Sequence, residues 1–153
     1  MTELFASIEG STLAAWVRES PSIWAYATIL TLHTVGLAIV VGANTVVDLR
    51  LLGWARGIPT SALRALFPIM WAGFAINFAT GVLLFMADAA TKSGQRVFWV
   101  KLACITSALL VARTIAKRLQ QQDDVPGNLR ALAVVSLFLW AGAIVAGRLM
   151  AYL

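Results

Sequence analysis

His33, the single histidine of the chain, is the side chain most suited to chemistry because it lies inside a long apolar stretch. That stretch runs from Ile23 to Trp54 and reads IWAYATILTLHTVGLAIVVGANTVVDLRLLGW. It is long and apolar enough to form a membrane-crossing helix. Ionisable side chains are costly in hydrocarbon and usually mark a functional site. We therefore expect His33 to belong to the functional site of the protein.

Depth along the helices brings other reactive side chains near His33. With a rise of about 1.5 Å per residue, His33 lies slightly to the outer side of the membrane midplane, with Lys101 and Arg148 above it. This arrangement suits a b-type haem, with the imidazole as an axial ligand and the two cations paired with propionates. Trp140 would pack on the macrocycle, and Gly36 or Gly81 would leave room for it. The predicted cofactor-binding residues are His33, Gly36, Lys101, Trp140 and Arg148.

A soft metal is an alternative partner for the same histidine. A six-coordinate haem needs a second axial ligand, and the chain has no second histidine. Met86, Met150, an open position or a histidine from another subunit could fill that role. Because thiolate and thioether ligands favour Cu(I), His33, Cys104 and Met86 could instead form a copper site. Taken by itself, Cys104 is better explained as a small packing residue.

His33 could also serve without any cofactor. A hydrogen bond to Thr34, to Asn77 or to a backbone carbonyl of a neighbouring helix would satisfy the ring and make it a structural residue. Proton transfer or substrate binding is a further use of an imidazole at this depth. The residues alone leave these alternatives open.

A second polar cluster is predicted at the inner end of the same helix. Asn44, Asp48 and Arg50 follow His33 along the chain, and Arg113 and Lys117 are expected at a similar depth on the third span. Because an unpaired charge would be costly there, we expect Asp48 to form an ion pair with one of these cations. The cluster is predicted to clamp the inner helix ends together; a proton or ion path to His33 is the alternative.

Four apolar helices must position these residues. The chain is 60% hydrophobic and 12% charged, with a mean hydropathy of +0.83, whereas soluble domains average roughly 25% charged residues. Segments long enough to span a bilayer lie at about 22–50, 67–88, 97–118 and 130–152. Residues 1–20 have the pattern of an amphipathic interfacial segment. The predicted fold is therefore an all-α, four-transmembrane-helix bundle formed by residues 21–153.

The charges indicate topology rather than nucleic-acid binding. The formal net charge is +5, but Lys and Arg are dispersed at helix ends instead of forming a basic stripe with aromatic residues. More of them fall at the end that receives Arg50, Arg56 and Arg64 than at the end that receives Arg18 and Lys92. The positive-inside rule then places both termini in the periplasm, with the chain as a multi-pass protein of the inner membrane.

One stretch of the first span carries a family resemblance. The residues Leu32-His33-Thr34-Val35-Gly36-Leu37-Ala38, followed by Gly42 and by Asp48-Leu49-Arg50-Leu51-Leu52-Gly53, resemble a family of small bacterial four-helix membrane proteins. That resemblance implies the fold and a membrane location. More distantly, the Leu-His pair followed by a glycine looks like copper-resistance D-type and related haem or copper membrane domains, which usually present additional histidines.

These observations predict a small, redox-associated integral membrane protein with His33 as an axial ligand of haem. Handling or transport of copper through His33, Cys104 and Met86 is one alternative, and a structural anchor or assembly subunit without a cofactor is another. No nucleophile–base pair, catalytic carboxylate pair, phosphate loop or zinc motif is present, so we do not expect an enzyme that acts alone. Small residues spaced four apart in the last span allow close helix contact, within one chain or between chains. We expect a homo-oligomer or an accessory subunit of a larger membrane complex.

Overall fold

Seven helices account for nearly all of the described chain. A computed structural model of the protein describes residues 2–20, 22–54, 56–121 and 129–152, and no strand occurs within these ranges. The helices are α1 Thr2–Glu9, α2 Thr12–Glu19, α3 Ile23–Leu52, α4 Thr60–Met86, α5 Ala89–Gly94, α6 Arg96–Gln121 and α7 Leu129–Leu149. The predicted all-α fold is confirmed.

Four of these helices, α3, α4, α6 and α7, are long and apolar enough to cross a membrane. Three of them begin close to the predicted bounds, but α4 begins at Thr60, earlier than the predicted start at about 67. Its first residue follows Pro59, which is extended and lies outside the helix, whereas Pro68 lies inside it. At the end of α3, Gly53 adopts a left-handed φ of 94° that is available to glycine at little cost.

The long helices pack in the order α4, α3, α7, α6. The helix α3 packs extensively along α4 and also contacts α7, while α6 packs mainly on α7. Between α4 and α6 the contact is slight. The buried core is made of apolar side chains from all four helices, including Val40, Val47, Leu51, Leu63, Met70, Ile115, Leu119, Leu129 and Trp140. This order leaves a lateral opening between α4 and α6.

Glycines allow α3 and α4 to approach at backbone distance. A Cβ atom placed on Gly36 would lie 2.7 Å from the Asn77 nitrogen and 2.9 Å from the Gly73 carbonyl oxygen. A Cβ atom on Gly73 would lie 2.6 Å from Ile39 Cγ2. Small residues permit this kind of close contact between membrane helices. Gly36 is therefore required for the pairing of α3 with α4.

The N-terminal segment forms two helices, of which α1 packs mainly on α5 and α2 packs mainly on α4. Ser11 begins α2, and its hydroxyl accepts a hydrogen bond from the Ala14 backbone at 3.3 Å. The apolar side chains of Leu4, Leu13 and Trp16 are exposed, as expected for helices that lie at a membrane interface.

Polar contacts fix this segment to the turn that follows α4. Glu9 Oε2 accepts a hydrogen bond from the Ala90 nitrogen at 2.9 Å, and Glu9 Oε1 lies 3.6 Å from the Arg18 guanidinium. Asp88 pairs with Lys92 at 3.0 Å. Partial burial alone would raise the pKa of Asp88, but hydrogen bonds from Thr91 and Lys92, with the nearby positive charges, outweigh it and lower the pKa. This end of the molecule thus holds an ionised carboxylate outside the membrane helices.

Candidate functional site

The His33 ring is hydrogen-bonded to α4 through its Nδ1 atom. Nδ1 lies 3.0 Å from the Asn77 carbonyl oxygen and 3.1 Å from Thr80 Oγ1. The Asn77 side-chain amide donates in return to the His33 carbonyl oxygen at 2.7 Å. The Asn77 side-chain amide also lies 3.3 Å from Nδ1. Since a carbonyl oxygen can only accept, the bond to the Asn77 carbonyl forms in the neutral tautomer that carries its proton on Nδ1. Nε2 then carries the lone pair, and no hydrogen bond to it forms within the described ranges.

His33 contributes to the wall of an apolar crevice between α4 and α6. The crevice has a volume of about 420 Å³, which falls within the usual range for ligand pockets. Gly81 lies beside the imidazole, because a Cβ atom placed there would be 3.1 Å from His33 Cε1. Six aromatic side chains line the crevice: Phe5, Phe74, Phe78, Phe85, Phe98 and Trp99. The crevice is thus a pocket with aromatic walls and an imidazole.

Lys101 is the cation that lines the same crevice. It is half-buried on α6, and a Cβ atom placed on Gly147 would lie 3.5 Å from its Nζ atom. Among the described residues, no carboxylate pairs with this ammonium group. The crevice therefore combines an imidazole with a positive charge that an anionic group on a ligand could neutralise.

The other three residues predicted to hold haem do not line the crevice, to which α7 contributes no side chain. Trp140 is only 3% exposed and packs in the core of the bundle. Arg148 is exposed on α7. Gly36 faces the backbone of α4, so it makes room for a helix and not for a macrocycle. Of the predicted haem residues, the structure brings only His33 and Lys101 together.

The predicted copper ligands do not meet either. A Cβ atom on Gly142 of α7 would lie 3.4 Å from Cys104 Sγ, so the thiol packs against that helix. Met86 is half-buried at the end of α4, and neither sulfur-containing residue lines the crevice. Within the part of the chain that the structure describes, no three His, Cys, Asp or Glu side chains cluster as a metal site would require.

The inner polar cluster has a different membership from the predicted one. Asn44 and Asp48 lie together, but their partner is Ser136 of α7: the Asn44 amide donates to Asp48 Oδ2 and to Ser136 Oγ, both at 2.7 Å. Trp140, one turn beyond Ser136, has a buried Nε1 atom without a partner. Ser136 was not predicted to belong to this cluster, although it is the one hydroxyl-bearing residue of α7.

The cations expected beside Asp48 point elsewhere. Arg50 donates to the Ile58 carbonyl oxygen at 2.8 Å. Arg113 stacks on the ring of Trp71, with the guanidinium carbon 4.9 Å from the ring centroid, and Lys117 is exposed. The expected ion pair is therefore not formed, because the arginine side chains find backbone and aromatic partners instead.

Sequence reasoning also missed the aromatic wall, and a signal for it exists. Phe74, Phe78 and Phe85 recur at spacings that return to one side of α4, together with Gly81. Thr80, which contacts the histidine ring, is adjacent to that stripe. An aromatic stripe beside a glycine on the span following His33 would have indicated this crevice.

Fold and site together define an α-helical membrane bundle with a histidine in the wall of an aromatic crevice. Comparisons of the chain with protein-family models, with curated proteins and with solved structures found no match.

Proposed function

We propose that this protein is a redox-associated membrane protein in which His33 is an axial ligand of a b-type haem bound in the crevice. The observation that supports this most is the hydrogen bond between Nδ1 and the Asn77 carbonyl oxygen. Metal-ligating histidines almost always donate their other ring N–H to such an acceptor, which orients the ring and makes it a better ligand. In this arrangement Nε2 would be the ligating atom.

The residues of the crevice fit such a group in part. His33 would supply one axial bond, aromatic side chains would flank the macrocycle, and Lys101 would pair with a propionate. Bound haem would supply one-electron transfer. As His33 is the only histidine of the sequence, a second histidine ligand would have to come from another subunit, which would be a second copy of this chain in a homo-oligomer or a different protein in a larger complex.

The proposed location is the inner membrane, with both termini in the periplasm. The excess of Lys and Arg toward the end where α3 finishes supports this orientation. The crevice would then lie in the periplasmic half of the bilayer, with the N-terminal helices α1 and α2 at the outer surface.

An absorption spectrum of the purified protein tests the haem proposal. Protein produced with an adequate haem supply should show a Soret band, and His33→Ala should remove most of it. The matched control is Thr34→Ala, since Thr34 is exposed and its hydroxyl bonds only within its own helix, to the Leu30 carbonyl oxygen. A protein without a Soret band, or a band that survives His33→Ala, would exclude the proposal.

A structural role for His33 is the second candidate, favoured by the bonds that join His33 to Asn77 and Thr80 across the interface of α3 and α4. If this is its only role, the protein should contain no haem, and His33→Ala should lower the melting temperature in detergent.

Copper handling has less support, because Cys104 and Met86 lie outside the crevice. Stoichiometric copper after loading of the protein, lost in Cys104→Ala, would be needed to restore it.

A further inference from the structure

Asp48 is the only acidic residue in the four long helices, and its side chain is fully buried, with a relative exposure of 0%. Oδ2 accepts a hydrogen bond from the Asn44 amide at 2.7 Å. Ser136 also hydrogen-bonds the carboxyl group. Because Ser136 Oγ already accepts from Asn44, its own hydroxyl hydrogen is available for Asp48. The other carboxyl oxygen, Oδ1, is buried and has no hydrogen-bond partner among the residues that the structure describes.

Within the described part of the chain, this carboxyl group has no cationic partner. Among the described residues, no Lys or Arg nitrogen lies within 4.0 Å of it. The charged residues on the helices that surround this end of α3 are Arg50, Arg64, Arg113, Lys117, Arg118 and Arg130. Three of them are directed to other groups: Arg50 to the Ile58 carbonyl, Arg64 to the Leu119 carbonyl and Arg113 to an aromatic ring.

A carboxylate in this position would be costly. Burying an ion without a counter-charge is strongly unfavourable even after the protein relaxes. The Asn44 amide and the Ser136 hydroxyl, which hydrogen-bond Asp48, are both neutral. Neither of them forms a hydrogen bond with Oδ1. A proton on Oδ1 removes the net charge, and buried groups of this kind usually neutralise in this way.

We propose that Asp48, Asn44 and Ser136 form a proton-binding site inside the membrane, in which Oδ1 of Asp48 carries the proton. Asp48 lies one turn before Leu52, the last residue of α3, so about 6 Å of helix separates it from the end of the bundle. The proton would exchange with water at that end. The site shares no residue with the crevice and stands whether or not His33 binds haem.

Labelling with dicyclohexylcarbodiimide, which reacts with protonated carboxyl groups in apolar surroundings, tests this site. In the full-length protein, peptide mapping should find the adduct on Asp48 at neutral pH and several-fold less of it at alkaline pH. Asp48→Asn should abolish the adduct, and Asp48→Glu should retain it. Asp88 is the internal control: its ion pair with Lys92 keeps it charged, so it should stay unlabelled.

Infrared spectroscopy gives a second readout that does not depend on reagent access. The wild-type spectrum at neutral pH should contain a protonated-carboxyl stretch that is missing from Asp48→Asn and shifted in Ser136→Ala. If Asp48→Asn does not fold, loss of the same band from the wild type as the pH is raised replaces that comparison. Absence of the band at neutral pH would overturn the proposal, as would a band that persists in folded Asp48→Asn.

Discussion

His33 and Asp48 lie on the same helix, and the energetic cost of burying each polar side chain is reduced in a different way. The histidine ring can remain neutral while it bonds the Asn77 carbonyl through Nδ1, and its burial is partial. Asp48 is fully buried, with two neutral neighbours and one bare oxygen. The histidine is thus suited to bind a ligand from a crevice, whereas the carboxyl group is suited to bind a proton.

At the level of single residues, Gly81→Leu should remove haem from the crevice without unfolding the protein. A Cβ atom at Gly81 would already be 3.1 Å from His33 Cε1, so a larger side chain would displace the imidazole. The Soret absorbance should fall several-fold. Gly42→Leu is the control, because nothing lies within 4 Å of a Cβ atom there, and its spectrum should match the wild type. Equal absorbance in both variants would contradict this placement of the ring.

Trp140→Phe distinguishes the structure from the sequence prediction for that tryptophan. Because Trp140 does not line the crevice, the absorption spectrum should not change. The substitution also removes a buried Nε1 donor that lacks a partner, which offsets part of the lost packing. Because phenylalanine is smaller than tryptophan, the substitution leaves a cavity, but we expect the loss in the free energy of unfolding to stay below the roughly 3–5 kcal/mol expected for Trp140→Ala. A Soret band shifted by Trp140→Phe would argue that this side chain reaches the cofactor.

At the level of helices, the pairing of α3 with α4 depends on Gly36. Gly36→Ala would place a Cβ atom 2.7 Å from the backbone nitrogen of Asn77, and backbone cannot move aside as a flexible side chain can. We expect a loss of about 1–3 kcal/mol of stability, measured by thermal unfolding in detergent. Gly42→Ala, which meets no neighbour, should be neutral or stabilising because alanine favours a helix. Similar melting temperatures for the two variants would show that the helices are not in contact at Gly36.

At the level of the whole molecule, the arrangement of the four helices creates the crevice. Because α3 packs on α4 and α7, and α6 packs mainly on α7, the α4–α6 side of the bundle is left with slight contact. Phe5 of α1 lines the same space, so the N-terminal segment also contributes to the crevice.

The orientation of the bundle is a prediction for the whole molecule. With both termini in the periplasm, an alkaline phosphatase fused after Leu153 should be active and a green fluorescent protein at the same point should be dark. Fusion after Gly57, between α3 and α4, should give the opposite pair of results. Reversed signals would place the termini in the cytoplasm, and the proton of Asp48 would then exchange with the periplasmic side.

The sequence alone predicted the number and approximate position of the membrane helices. Hydropathy over about 20 residues is a property of composition and length, and it does not depend on how the helices pack. The sequence also indicated His33 and Asp48 as members of polar sites, because an ionisable residue in an apolar span can be recognised without a structure. The contact of His33 with Asn77 was among the alternatives that the residues left open.

Tertiary structure decided which residues meet at each site. Depth placed Trp140 and Cys104 near the level of His33 and Lys101 above it, but depth says nothing about rotation around each helix axis. That rotation follows from where the backbones can approach, as at Gly36 and Gly73, and from the order in which the helices pack. For this reason Lys101 lines the crevice with the histidine, Trp140 and Cys104 do not, and the partner of Asp48 is a serine on α7 instead of a cation on α6.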